Sequence, residues 1–279
     1  MTKKIIILII IIGALGGLGF VAYNDYDISG IFARYNQFFL KNGNGQESGR
    51  LGEIKKRGEI IIGTDATYPP MESLDEQGNF FGMDVDIAKE IASDLGVEAK
   101  FKNVIWEEIF GAVKNGEVDM IISAITITKE RTEVLAFSDP YFNAGQVIVS
   151  TKNKEGIIKG PENLKEYKVG VQAGTTSEEE AKKYAANPSL VNTYENYDLA
   201  KEDLLEGKID AIIIDYPAAV GMIAKEKRLQ IAGGIFTQEF YGIATQKNQL
   251  ELLLQINKSV RRLKQEGKLK TIEEKWLGQ

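Results

Sequence analysis

Neither cysteine nor histidine occurs anywhere in the 279 residues. Their absence removes disulfides, thiol nucleophiles, zinc sites built on Cys or His, and every Ser/His or Cys/His catalytic arrangement. An enzyme made from this chain would have to work mainly with carboxylates, Lys or Tyr. A basic stripe is missing too: 34 Lys and Arg are scattered among 40 Asp and Glu, for a formal charge of −6, which makes nucleic acid a poor partner. Neither a lysine-bearing phosphate loop nor a GxGxxG fingerprint occurs, so nucleotide binding has little support. No cofactor and no metal is expected. The absent cysteine also excludes a lipid-modified cysteine as a membrane tether, and it leaves the redox compartment open because exported proteins can lack disulfides.

What is present begins with a targeting signal. Met1-Thr2-Lys3-Lys4 supplies positive charge and Ile5 to Ala22 is an uncharged apolar stretch, at the length needed to span a membrane as a helix and longer than a usual signal h-region. A retained anchor is favoured over a cleaved signal, although Gly17-Leu18-Gly19 offers small residues for cleavage. Lysines before the span place the N-terminus inside and the remainder outside. Residues 1–23 are thus expected to be signal or anchor. Residues 24–50, rich in Asn, Gly and Ser toward their end, are expected to be a tether, with Ile28 to Leu40 as a candidate surface helix.

With 43% hydrophobic residues, the rest of the chain can bury an ordinary core. Beyond Arg50, short β-branched runs alternate with amphipathic stretches, the grammar of βαβ units. Strands are expected at Glu59 to Thr64, Val97 to Val104, Val118 to Ala124, Val147 to Thr151, Lys168 to Gln172, Leu190 to Tyr194, Ile209 to Asp215 and Tyr241 to Gln246. Helices lie between them. Asp84 to Leu95 puts Ala88, Ile91, Ala92 and Leu95 on one face, with Asp84 and Asp86 at its positive end and Gly96 as its stop. Thr175 with Glu178 three residues on is a capping box. Gln249 to Gly267 and Leu269 to Leu277 make a helical C-terminus. A sub-pattern also recurs, Asn115-Gly116-Glu117-Val118-Asp119 and Glu206-Gly207-Lys208-Ile209-Asp210, from which two similar α/β lobes are inferred.

Ligands of open α/β sheets bind beyond the C-terminal ends of strands, and several polar residues stand there. Ser123 to Arg131 reads SAITITKER. An arginine is most often a solvated helix residue, but Arg131 beside a helix start bracketed by Thr126 and Thr128 can clamp a carboxylate. Gly174-Thr175-Thr176 offers a second set of backbone N–H groups. Asp215 ends an apolar run and reads either as a helix cap or as an anion facing a ligand. Asp65 ends another strand, with Tyr68 three residues on, and Trp106 opens a helix. Aromatics so placed are usually core, but two at strand ends can sandwich a ligand.

These segments, Asp65-Ala66-Thr67-Tyr68-Pro69-Pro70, Phe81-Gly82-Met83-Asp84-Val85-Asp86, SAITITKER, Phe137-Ser138-Asp139-Pro140-Tyr141, Val169-Gly170-Val171-Gln172-Ala173-Gly174-Thr175-Thr176 and Tyr241-Gly242-Ile243-Ala244, resemble in order the polar amino-acid-binding family of extracytoplasmic solute-binding proteins. The resemblance runs from about Leu51 to the end and departs only in lacking a lipid-attachment cysteine. It implies an α/β fold of the two-lobed, periplasmic-binding-protein-like kind, with 51–143 plus 240–279 as one lobe, 144–239 as the other, two hinge strands, and a ligand cleft between. It implies that Arg131, Thr126 and Thr176 hold an α-carboxylate, that Asp215 and the Ser123 carbonyl beside Ala124 hold an α-ammonium, that Tyr68 and Trp106 flank a side chain, and that Asp65 and Gln172 read its polar end. The implied partners are an amino acid and the permease of an ABC transporter, with the receptor acting as a monomer outside the cytoplasm; Asp65 and the uncharged Gln172 favour arginine or lysine over glutamine as the ligand. Two other readings remain: an enzyme resembling cyclohexadienyl dehydratase, with Glu178 as general acid, or a ligand-sensing domain acting through a separate partner.

Overall fold

The computed structural model describes residues 49–278. The expected anchor, nearly all of the expected tether and the candidate surface helix lie outside them. No helix among the described residues is long and apolar enough to cross a membrane.

Two five-stranded sheets organise the chain. In the first, Glu59–Thr64 lies between Glu98–Asn103 and Met120–Ile121, all parallel, and Ala244–Gln246 then runs antiparallel between Met120–Ile121 and Leu135–Phe137. In the second, Val169–Gln172 lies between Val191–Tyr194 and Ala211–Asp215, again parallel, and Gln146–Thr151 runs antiparallel between Ala211–Asp215 and Leu229–Ala232. The layouts match position for position. Each sheet is covered on both faces, which is why its central strands are continuously apolar rather than alternating. Ile212 and Ile214 pack with Tyr197, Ala200 and Ala218 on one side, while Ala211 and Ile213 pack with Val171 and Ala181 on the other.

The recurring sub-pattern has the same conformation twice. Helices Trp106–Lys114 and Tyr197–Leu205 end in Asn115 and Glu206 in the right-handed helical region, followed by Gly116 at φ 75° and Gly207 at φ 73°. Three residues after each glycine, a carboxylate ties the chain back to a neighbouring strand: Asp119 accepts from Ile61 N at 2.6 Å, and Asp210 accepts from Lys168 N at 2.8 Å.

The chain crosses between the sheets twice. The two crossings pair as the antiparallel strands Phe142–Asn143 and Phe240–Tyr241. Phe137 to Tyr141 is the approach to the first.

Several expected elements differ. The strand expected over Val118 to Ala124 is confined to Met120–Ile121, because Ser123 and Ala124 leave the sheet to bond elsewhere: Ser123 Oγ accepts from Asp65 N, and Ala124 N donates to Asp84. The strand expected over Tyr241 to Gln246 is broken at Gly242 and Ile243, whose N–H groups donate to Ile125 O and Ser138 Oγ. Leu135–Phe137, Leu229–Ala232 and a small sheet of Thr67–Tyr68, Glu72–Leu74 and Phe80–Phe81 were not expected; they are too short to show a period. Helix Met83–Leu95 ends at Gly96 as expected. Its entry needs Gly82, at φ 139°, where a Cβ would fall 2.1 Å from Met71 O. Asp84 sits in its first turn but is fully buried, bonded to Ala124 N and the Tyr141 hydroxyl.

Candidate functional site

A cleft lies at the C-terminal ends of the parallel strands of both sheets. All ten residues singled out from sequence line it: Asp65, Tyr68, Trp106, Ser123, Ala124, Thr126 and Arg131 from the first sheet's segments, and Gln172, Thr176 and Asp215 from the second's. Glu72, Thr175, Ser177 and Tyr197 line it as well.

Arg131 stands on the short helix Lys129–Val134, whose N-cap Thr128 accepts from Arg131 N at 3.2 Å. Its guanidinium lies 5.3 Å from the Trp106 ring centroid and 5.0 Å from that of Phe110, a cation–π seat that fixes the plane of the group. Nη1 donates to Thr126 O at 2.9 Å and Nη2 reaches Gly174 O of the other lobe at 3.4 Å. Among the described residues it makes no ion pair, so a partly buried cation faces the cleft without an anion. Burial lowers its proton affinity, while Asp215, Glu179 and Glu239 act in the opposite direction.

Asp215 is the opposite case. It is 7% exposed at the end of Ala211–Asp215, and burial pushes its carboxyl up to about 7, against the Tyr241 hydroxyl that donates to Oδ2 at 2.5 Å. It occupies the N-cap position of helix Tyr216–Lys225, yet its side chain makes no cap bond. The capping reading of Asp215 is therefore corrected: Pro217 in the first turn removes one of the donors such a cap would serve, and the carboxylate turns into the cleft.

Thr175 caps helix Thr176–Tyr184, accepting from Glu178 N at 3.3 Å, and Glu178 Oε2 accepts from Gly174 N at 2.7 Å. Only the Thr175 half of the expected capping box forms, since Glu178 reaches one residue past the N-cap, to Gly174 N; the Thr176 hydroxyl stays in the cleft, where Gln146 Nε2 donates to it at 3.0 Å and it donates to Glu239 Oε2 at 3.3 Å. Although burial pushes Glu178 up, the Lys182 ammonium at 2.6 Å and the Gly174 N–H hold it below the usual carboxylate range. An ionised, doubly bonded carboxylate is a poor general acid.

At the other end of the cleft, Asp65 Oδ1 accepts from Thr67 Oγ1 at 2.8 Å and Oδ2 accepts from Trp106 N, the first N–H of helix Trp106–Lys114, at 3.0 Å. Asp65 thus caps a helix whose own N-cap, Ile105, cannot. Burial nonetheless raises its pKa. Gln172 donates Nε2 to Glu195 O at 2.8 Å. Tyr68 and Tyr197 rings meet at 5.6 Å, and Trp106 meets Phe110 edge-on at 5.2 Å, giving the cleft two aromatic walls.

Of the residues missed, Tyr197 opens a helix directly after a strand, as Trp106 does, and the same strand-end rule would have found it. Glu72 carried no such signal. No group of acidic residues able to hold a metal occurs among the described residues.

Residues 60–279 match the family model described as bacterial extracellular solute-binding proteins, family 3. Among curated proteins, the L-cystine-binding protein TcyJ of Escherichia coli K12 is 33% identical over 233 residues, covering 83% of this chain and 87% of that one. The ABC transporter glutamine-binding protein GlnH of Bacillus subtilis is 37% identical over 248 residues, covering 85% and 89%. Among solved structures, the arginine-bound form of truncated ArgBP from T. maritima is 42% identical with a TM-score of 0.72, covering 76% of this chain and 99% of that one.

Proposed function

The chain belongs to the bacterial extracellular solute-binding proteins, family 3, and we propose that it is an extracytoplasmic receptor that closes on one polar or cationic L-amino acid and presents it to an ABC importer. The observation that carries this reading is a pair of unmatched charges in one cleft. Arg131 has no anion and Asp215 no cation among the described residues, and both are too buried for water to compensate fully. An amino acid brings the two missing charges: its carboxylate suits Arg131 with Thr126 and Thr176, and its ammonium suits Asp215 and the Ser123 carbonyl beside Ala124. Tyr68 and Trp106 then flank the side chain, and Asp65 with Gln172 meets its end. A carboxylate there favours arginine or lysine over glutamine, and the relatives' names, cystine, glutamine and arginine, leave that choice to the residues.

The two lobes, 51–143 with 240–279 and 144–239, would move about the paired crossings. Ligand binding drives closure only because Arg131 and Thr176, on different lobes, grip it together in the closed state. The apolar segment of residues 5–22 serves as anchor or export signal, residues 24–50 as tether, and the receptor works as a monomer. The ionised, capped Glu178 speaks against the dehydratase reading. Calorimetry with the common L-amino acids tests the proposal: silence toward every cationic and amide amino acid removes the substrate class.

A further inference from the structure

Beneath the turn Ser123-Ala124 lie two carboxyl groups that none of the roles above uses. Glu72 and Asp84 are both 0% exposed. Glu72 Oε1 accepts from Ser123 Oγ at 3.0 Å, and Asp84 Oδ2 accepts from Ala124 N at 2.7 Å and from the Tyr141 hydroxyl at 2.8 Å. The other oxygen of each, Glu72 Oε2 and Asp84 Oδ1, has no donor among the described residues. The two side chains are within hydrogen-bond reach of each other.

Two ionised carboxylates at that distance repel, and each would leave an orphaned buried oxygen. A single proton resolves both problems, because Oε2–H of Glu72 donating to Oδ1 of Asp84 satisfies the two orphans at once. We infer that Glu72 and Asp84 hold one proton between them and act as a positioning pair for the ligand-binding turn. The proton belongs on Glu72, since Asp84 already takes two donors that favour its charged form. Burial and the neighbouring Asp84 both push Glu72 well up, in keeping with this assignment.

Among the described residues nothing cationic competes for the pair. The titratable groups facing it are Asp65, Tyr68 and Tyr141. Of the bases on the helices packed against Met83–Leu95, Arg262 pairs with Glu90 and Asp94, Lys268 with Glu90 and Lys275 with Asp86 on its outer face, while Arg261 pairs with Asp139, Lys264 with Pro140 O and Lys270 with Glu274.

The turn needs such a grip. Ala124 has φ 48°, a left-handed conformation that strains a residue bearing a Cβ. Asp84 holds its N–H and Glu72 holds the Ser123 hydroxyl, so the pair fixes the direction of the Ser123 carbonyl. That the carbonyl meets a ligand ammonium rests on the receptor reading; the shared proton does not.

Infrared spectroscopy of the full chain and L-arginine titrations of its variants test both parts. At pH 7 in an Asp215→Asn background, which removes the carboxyl that burial pushes up to about 7, the chain shows a protonated buried-carboxyl band that Glu72→Gln removes. Glu72→Gln, whose amide donates to Asp84 and whose carbonyl accepts from Ser123, binds L-arginine within about threefold of the parent, while Glu72→Ala loses about tenfold or more. Absence of the band, or a Glu72→Gln as damaged as Glu72→Ala, overturns the pair. A parent silent toward every cationic and amide L-amino acid sinks the receptor reading instead, and the band then decides the pair by itself.

Discussion

Ligand affinity should depend steeply on pH through Asp215. Burial pushes this carboxyl up to about 7 in the unliganded cleft, and an ammonium arriving beside it stabilises only the ionised form. The sign follows directly: protonated Asp215 must lose its proton for the ligand to bind, so affinity rises with pH up to the shifted value and then levels. At pH 8 about nine molecules in ten carry the carboxylate, at pH 5 about one in a hundred. Binding should therefore weaken about ninetyfold between those values, close to 2.7 kcal/mol. Titration calorimetry in two buffers of different ionisation enthalpy should also detect release of about nine-tenths of a proton per ligand at pH 6 and about a tenth at pH 8. Glu239, raised by burial and bonded to Thr176, lies close enough to confuse the profile, so Asp215→Asn is the control. That variant should bind weakly and with little pH dependence over this range. A flat profile in the parent, or an undiminished slope in Asp215→Asn, refutes the reasoning.

Two further outcomes concern the other ends of the ligand. Arg131→Ala should weaken amino-acid binding by roughly a hundredfold or more, about 3 kcal/mol, because it strips the carboxylate of its buried partner; near-normal affinity by fluorescence or calorimetry would take Arg131 out of the site. Asp65→Asn should cost arginine more than glutamine, by about tenfold in the ratio of the two affinities, since only the cationic side chain uses the charge; equal losses would mean that Asp65 acts solely as the cap for Trp106 N.

The central strands were legible because burial on both faces leaves an unmistakable apolar run, as in Ala211 to Ile214. The recurring helix-Gly-strand-Asp pattern disclosed the two sheets because its glycine and its aspartate each meet a backbone requirement. The cleft-lining residues were found because they stand at strand ends, where the fold opens. What escaped was long-range. Nothing near Asp84 in sequence says that its partners are Ala124 and Tyr141, 40 and 57 residues away, and it passed for a helix-dipole residue. For Asp215 the local pattern left a cap and a ligand-facing acid equally open, because both place a carboxylate at the same strand end; the missing cap bond decides between them. Val118 to Ala124 read as one strand because hydrophobicity is continuous across the point where Ser123 and Ala124 turn away to be gripped by Glu72 and Asp84.

The central claim is that Arg131 and Asp215 wait for the two charges of a free amino acid. Titrating the purified full chain at pH 8 with the common L-amino acids, one at a time, tests it most directly. One-to-one binding is expected, tightest for arginine or lysine and next for glutamine, and lost when the ligand's carboxylate is amidated or its ammonium acetylated. Affinity that survives blocking both groups, or no heat from any cationic or amide amino acid, would contradict it.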